Sequence, residues 1–204
     1  MNPIELKLFA SRLQSICDEM GGVLQRSAFS PNIKDRLDFS CAVFAPNGEL
    51  ASQAAHIPVH LGSMAYTMQA LVATQAWQPR DMLVINDPYL GGTHLPDVTL
   101  LAPVFRADST EPQIVGFVAN RAHHANIGCE TPGSMPLSNT IEEEGVLIPP
   151  TLLLRDGKFQ SCGAKIDALL FDRPGVLSGD FAAQIGANLL AVDRLQGLVE
   201  SYGA

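Results

Sequence analysis

Two apolar runs constrain the fold of this chain more than any other feature. "DVTLLAPVF" at 97–105 and "QIVGFVANRA" at 113–122 are separated only by the polar "RADSTEP". Runs of this length and composition predict two strands, and so short a connector predicts an antiparallel hairpin. The end of the second strand then lies beside the start of the first. That hairpin brings "NRAHHANIG" against "GGTHLPDV", and so His123 or His124 toward His94 and Asp97.

The flanking sequence supplies the other elements. Over 4–24 the apolar positions Ile4, Leu6, Phe9, Leu13, Ile16, Cys17, Met20, Val23 and Leu24 fall on one broad face at helical spacing behind Pro3, which suits a first turn. "SPNIKDRLD" reads as a loop. "FSCAVFA" and "ELASQA" read as strands around a "PNG" turn. "HIPVHLGSM" reads as a second loop and "MAYTMQALVATQA" as a helix with Met64, Met68, Leu71 and Val72 on one side. "MLVIN" is a short buried strand, and "TLLLRDGKF" a strand and turn. Residues 178–202 return to a helical pattern with Ser178 as a cap. The stretch 126–150, rich in Gly, Pro, Ser and Glu, has little periodicity; loops that long are functional or pack against something. The expected class is α+β: a mixed or antiparallel sheet with flanking helices, in a single domain over 1–204.

Charge and motifs exclude several functions. The net charge of −8, with no basic run, argues against nucleic acid as a partner. No apolar run approaches membrane-spanning length, and "MNPIELKLFASRLQ" is not a signal peptide. The four cysteines show no C-x-x-C spacing, which predicts reduced thiols, a cytoplasmic location and no cysteine-built zinc site. There is no G-x-S-x-G, no G-x-x-x-x-G-K-[ST] and no G-x-G-x-x-G, so none of those devices is present to bind ATP phosphates.

The residues left to carry chemistry cluster in loops and at strand ends. In "THLPD", Pro96 fixes a bend through which His94 and Asp97 can face one centre. The competing reading is a surface turn with a capping Asp, because H-x-x-D is a weak pattern. Gly91 and Gly92 permit unusual backbone angles or the close approach of a substrate. Asp35 and Asp38 precede a strand, where an Asp either forms a turn or completes a metal site. Asp87 precedes a proline, as in an Asx-turn. The run "IEEEG" reads as a solvated charge cluster.

Longer stretches resemble one family. "DRLDFSCAVFAPNGELASQAAHIPVHLGSM", "INDPYLGGTHLPDVTLLAPVF", "GFVANRAHHANIG", "IEEEGVLIPP" and "SGDFAAQIGANLLAVDRLQGLVESYG" occur in the order seen in hydantoinase B / 5-oxoprolinase proteins, from near residue 5 to the end. The resemblance implies a divalent metal, Mn or Zn ahead of Fe, held by Asp38, His94, Asp97 and His123. Asn126, which stands where some members carry Asp, is not expected to be a ligand. His124, Asp87 and His60 are candidates for proton transfer or support of the ligands, and Gly91 and Gly92 for substrate contact. The resemblance further implies a hetero-oligomer. A hydantoinase A-type partner subunit would bind ATP and phosphorylate a small cyclic amide, and this chain would serve the ensuing C–N cleavage. Two alternatives are a subunit of an acetone-type ATP-dependent carboxylase and a non-catalytic assembly fragment. The family's B subunits are longer than this chain, which corresponds to their N-terminal part. The remainder of the B part is therefore a further expected partner.

Overall fold

The long hairpin is the centre of a seven-stranded sheet. The computed structural model of the chain describes residues 2–54, 57–107, 111–129, 131 and 136–203. The hairpin strands are β4 (Asp97–Phe105) and β5 (Ile114–His123). Their neighbours are β1 (Phe39–Phe44) with β2 (Leu50–Ala54) on one side. On the other side lie β3 (Met82–Ile85), β6 (Thr151–Arg155) and β7 (Lys158–Phe159). The order is β2-β1-β5-β4-β3-β6-β7. Every adjacent pair is antiparallel.

Both faces of the sheet are covered, which is why β1, β3 and β4 are buried along their whole length and mostly apolar on both faces. One face packs on α1 (Pro3–Ser27) and α6 (Gly179–Ser201). Asn2 and Glu5 form a capping box at the start of α1: the Asn2 side chain accepts from the Ile4 and Glu5 backbone, and Glu5 accepts from Asn2 N. Leu13, Ile16, Cys17, Met20 and Leu24 then bury the stripe that their spacing predicts, but its first members Ile4 and Leu6 are exposed, because the sheet is covered only by the later turns of the helix. The other face packs on α3 (Pro58–Val72), whose Met64, Met68 and Leu71 meet Leu83, Leu101 and Phe117. Each such buried side chain contributes about 1.5–3 kcal/mol relative to exposure. Alternation along β5 sends Val118 and Ala122 to the first face and Phe117 and Ala119 to the second. Arg121 and His123 therefore share the α3 face, while Asn120 and His124 share the α6 face.

Several expectations need correction. α3 begins at Pro58, not at 64, so "HIPVHLGSM" is largely helical and His60 sits on a helix rather than in a loop. Proline is favoured at a first helical position, and tertiary packing here overrides the weak local pattern around Gly62. "SPNIKDRLD" contains a one-turn helix, α2 (Pro31–Lys34), with Asp35 as its C-cap. Ser178 stands at the N-cap of α6, but its side chain makes no capping bond. Within 126–150, a short helix α4 (Ile141–Glu144) forms. The segment after it is tied back by Asn86, whose amide donates to Leu95 O (2.7 Å) and Val146 O (2.9 Å) and accepts from Ile148 N (2.6 Å). A helix α5 (Ala164–Leu170) and a small hairpin, β8 (Phe171–Arg173) with β9 (Val176–Leu177), occupy a stretch with no clear pattern in sequence.

Candidate metal centre

The hairpin register builds the site. Asp97 opens β4, His123 closes β5, and the two are directly paired. The turn before β4 is closed by Asp97 N donating to His94 O (3.1 Å) and His124 N donating to Pro96 O (2.9 Å). This turn folds His94 back over Asp97. His94 Nε2 lies 3.1 Å from Asp97 Oδ1, His123 Nδ1 lies 3.2 Å from the same oxygen, and the two ring nitrogens are 3.1 Å apart. Three potential ligand atoms thus form a nearly equilateral triangle.

Asp38 and His60 stand around that triangle. Asp38 is fixed through its backbone: it donates to Asn32 O (2.9 Å) and accepts from His123 N (3.0 Å). Its carboxylate lies 3.7 Å from His123 Nδ1 and 3.8 Å from His60 Nε2, one step outside the tight group. His60 reaches down from α3, with Nε2 3.3 Å from Asp97 Oδ2 and Nδ1 3.2 Å from Ser40 Oγ. The Ser40 hydroxyl, which also lies 3.4 Å from Ile57 O, and Asp97 Oδ2 thus engage the two ring nitrogens of His60. The Thr93 hydroxyl donates to that same oxygen. Oδ2 is therefore saturated, whereas Oδ1 is buried without a hydrogen bond.

The charges follow from these contacts. Burial alone would raise the Asp97 carboxyl, but the His123, His60 and His94 imidazoles packed against it hold it well below the usual carboxylate range. The His94 imidazole is raised, chiefly by the adjacent Asp97 carboxylate and against the effect of burial. Access is one-sided. The side chains of His94 and Asp38 are 29% and 28% exposed, against 3% for Asp97, so the triangle opens toward solvent on the His94–Asp38 side.

These residues fit a divalent cation. A buried carboxylate oxygen that faces two imidazole nitrogens yet has no well-directed hydrogen bond from either is an unsatisfied arrangement for a protein alone. Edges of 3.1–3.2 Å match what a centre with bonds of about 2.0–2.2 Å to nitrogen and oxygen imposes on its ligands, roughly 2.8–3.6 Å between them. The mixed nitrogen and oxygen set suits Zn, Mn or Fe.

Other predicted residues fall elsewhere. His124 faces α6, where its Nε2 lies 2.7 Å from Gln184 Oε1. Gln184 Nε2 donates to Val98 O (2.9 Å) and Asn120 Oδ1 (2.8 Å), which fixes the amide and leaves its oxygen to accept from His124. Burial lowers the His124 imidazole, with the Gln184 bond opposing. Asp87 caps a single 3₁₀ turn, Pro88–Leu90, accepting from Tyr89 N (2.9 Å). Asn126 accepts from Gly128 N (2.9 Å). Gly91 and Gly92 are accounted for by packing, because a Cβ would stand 2.5 Å from Thr67 Oγ1 at Gly91 and 2.6 Å from Asp87 O at Gly92. His56 lies outside the described residues. Sequence reasoning missed Ser40, Thr93 and Gln184. The strand period offered one signal, since Ser40 shares a face of β1 with Asp38, two residues away.

The arrangement is of the class that could hold a divalent cation at the ends of antiparallel strands. A family model described as hydantoinase B/oxoprolinase matches residues 2–204, and the chain belongs to that family. It is 41% identical to the 5-oxoprolinase of Dictyostelium discoideum, a match covering 100% of this chain and 16% of that protein. Its fold superposes on the ATP-dependent caprolactamase from Pseudomonas jessenii with a TM-score of 0.86 and 28% identity, over 100% of this chain and 35% of that one. Acetone carboxylase superposes with a TM-score of 0.80 at 18% identity, over 98% of this chain and 26% of that one, a likeness of fold alone. The chain spans about a third or less of the length of the proteins it matches.

Proposed function

We propose that this chain carries the metal centre of an ATP-dependent enzyme that opens a small cyclic amide. The observation that carries the reading is the convergence of His94, Asp97 and His123 with Asp97 Oδ1 left unmatched. The amide class rests on the 5-oxoprolinase and caprolactamase relatives. ATP would be bound by a hydantoinase A-type partner, in keeping with the missing phosphate-binding motifs here.

His94, Asp97 and His123 would hold the cation, with Asp38 beside them. When bound, a divalent cation supplies Lewis acidity and lowers the pKa of a coordinated water. The chain's own residues prepare the rest. Thr93 and His60 engage Asp97 Oδ2 and so direct Oδ1 inward. Ser40 Oγ, 3.2 Å from His60 Nδ1, orients the ring so that Nε2 faces Asp97. The one-sided exposure of His94 and Asp38 leaves an approach for a phosphorylated ring. Carboxylation of the acetone type is the second reading; it is favoured by the fold likeness to acetone carboxylase and weakened by the lower identity.

Elemental analysis of the purified chain, with His94→Ala and Asp97→Ala beside it, is the direct test. The expected result is about one equivalent of Mn, Zn or Fe, lost in both variants. Turnover with ATP, an A-type partner and either a cyclic amide or a ketone with bicarbonate then separates hydrolysis from carboxylation. Wild-type protein without metal overturns the metal reading. Full activity of His94→Ala in a working complex overturns the catalytic role.

A further inference from the structure

Arg121 is the largest fully buried side chain among the described residues, 1% exposed in the layer between the sheet and α3. Among the described residues no carboxylate lies within ion-pair distance of it. Its partners are neutral. Nε donates to Thr99 Oγ1 (2.7 Å), Nη1 to Ser63 Oγ (2.5 Å), and Nη2 to Thr67 Oγ1 (3.3 Å) and Gly91 O (2.9 Å). A buried guanidinium with no carboxylate in contact is costly and calls for a reason. Burial lowers it to about 10, with Asp97 opposing, so it remains a cation at neutral pH.

The reason lies in what the fork joins. Thr99 and Arg121 stand two residues inward from the ligands Asp97 and His123, on the same strands and the same face. Ser63 and Thr67 lie on α3 below His60, one and two turns along the same stripe. Gly91 opens the turn that carries Thr93 and His94. That turn is seated directly on α3: a Cβ at Gly91 would meet Ser63 O and Thr67 N, both at 2.7 Å. One planar group with donors in fixed directions therefore links the strands bearing Asp97 and His123, the helix bearing His60 and the turn bearing His94.

We infer that Arg121 is a positioning residue, the pin that sets the glycine turn and α3 against β4 and β5 so that His94 and His60 meet Asp97. The inference rests on the metal reading above for its consequence and on the hydrogen bonds for its cause. Lysine in its place would keep the charge but not the fork.

The test compares wild type, Arg121→Lys and Ser63→Ala in the full chain, using Co²⁺ alone as probe. Visible absorption reports both affinity and ligand geometry, and hydrogen exchange reports the 87–96 segment against α6. Arg121→Lys is expected to bind Co²⁺ at least about tenfold more weakly, the size of effect seen when support of a metal ligand is lost. Its cobalt bands should change, and 87–96 should exchange faster while α6 is unaltered. Ser63→Ala, which removes only the α3 arm, should change the same readouts by a smaller factor, and it carries the test if Arg121→Lys fails to fold. Folded variants with wild-type cobalt affinity, spectrum and exchange overturn the inference. Preserved affinity in Arg121→Lys with loss in an Arg121→Met control also overturns it, because charge alone would then suffice. If wild type binds no Co²⁺, the metal reading falls, and unchanged exchange at 87–96 removes the pin as well.

Discussion

Gly91 combines two demands in one residue: a φ of +88° and an approach to α3 that leaves 2.5 Å for a Cβ. A strained left-handed backbone costs about 1–3 kcal/mol, before the overlap is counted. Gly91→Ala should therefore destabilise the chain by roughly 2 kcal/mol or more. Gly186, inside α6 with nothing within 4 Å of a Cβ, should instead gain about 0.5–1 kcal/mol as alanine. Urea unfolding of the pair checks this, and equal effects would remove the packing account. The thiols make a second residue-scale prediction. Burial raises Cys17 from 9.0 to about 11, and Cys41 moves in the same direction. A raised folded pKa favours the protonated form, so this contribution to stability is intact below pH 9 and is lost as pH rises toward 11. Under native conditions a thiol reagent should reach Cys129 and Cys162 but spare Cys17 and Cys41. The same residue scale shows what could be read in advance. The approach of His94 and Asp97 to one of His123 and His124 followed from the hairpin, because pairing is a matter of run length and connector length; the choice of His123 came with the family resemblance. His124 did not separate from His123, since two adjacent histidines on a strand look alike until the faces are known. Asp87 and the glycines carried signals of turn chemistry that local backbone packing accounts for.

Among elements, α1 and α6 were legible because long amphipathic stripes repeat enough to be seen. α3 was read with a late start, since its first turn holds Pro58 and Gly62, and His60 was thereby placed in a loop. The small β8–β9 pair has too few residues for any period to show. What holds α6 to the sheet was invisible in sequence: Asn120 donates to Gln184 O (2.9 Å) and Asn188 Oδ1 (2.7 Å), while Gln184 bridges Val98, Asn120 and His124. These side chains come from distant segments and acquire meaning only once packed. Buried networks of this kind are costly to break in part. Gln184→Leu strands the Val98 carbonyl, the Asn120 amide oxygen and the His124 N–H, and it is expected to cost about 2–4 kcal/mol. The Arg194–Glu19 pair also joins α6 to α1, at 2.9 Å, but both side chains are largely exposed. Arg194→Ala should therefore cost at most about 1 kcal/mol. Chemical unfolding of both variants at one pH measures the contrast.

For the whole molecule, the candidate centre is a tie between segments that are far apart in sequence. Asp38 precedes β1, His60 lies on α3, His94 on the turn before β4, and Asp97 and His123 at paired strand ends. A cation bound there would engage the folded chain and not the unfolded one, so it must stabilise the fold by mass action. At free ion one hundred times the dissociation constant, the gain is about 2.7 kcal/mol. Thermal unfolding in Mn²⁺ or Zn²⁺ should therefore give a midpoint that climbs with ion concentration and falls back with chelator. His94→Ala supplies the control. His94 is 29% exposed on a turn, so its loss should leave the metal-free midpoint nearly unchanged while removing most of the ion-dependent rise. Asp97→Asn should act differently. Its Oδ1 is buried among ring nitrogens, and three histidines stabilise its charge, so the neutral amide should lower the metal-free midpoint as well as abolish the rise. A midpoint that climbs equally in wild type and both variants would mean that the ion binds elsewhere, and the converging side chains would then have to be explained by folding alone.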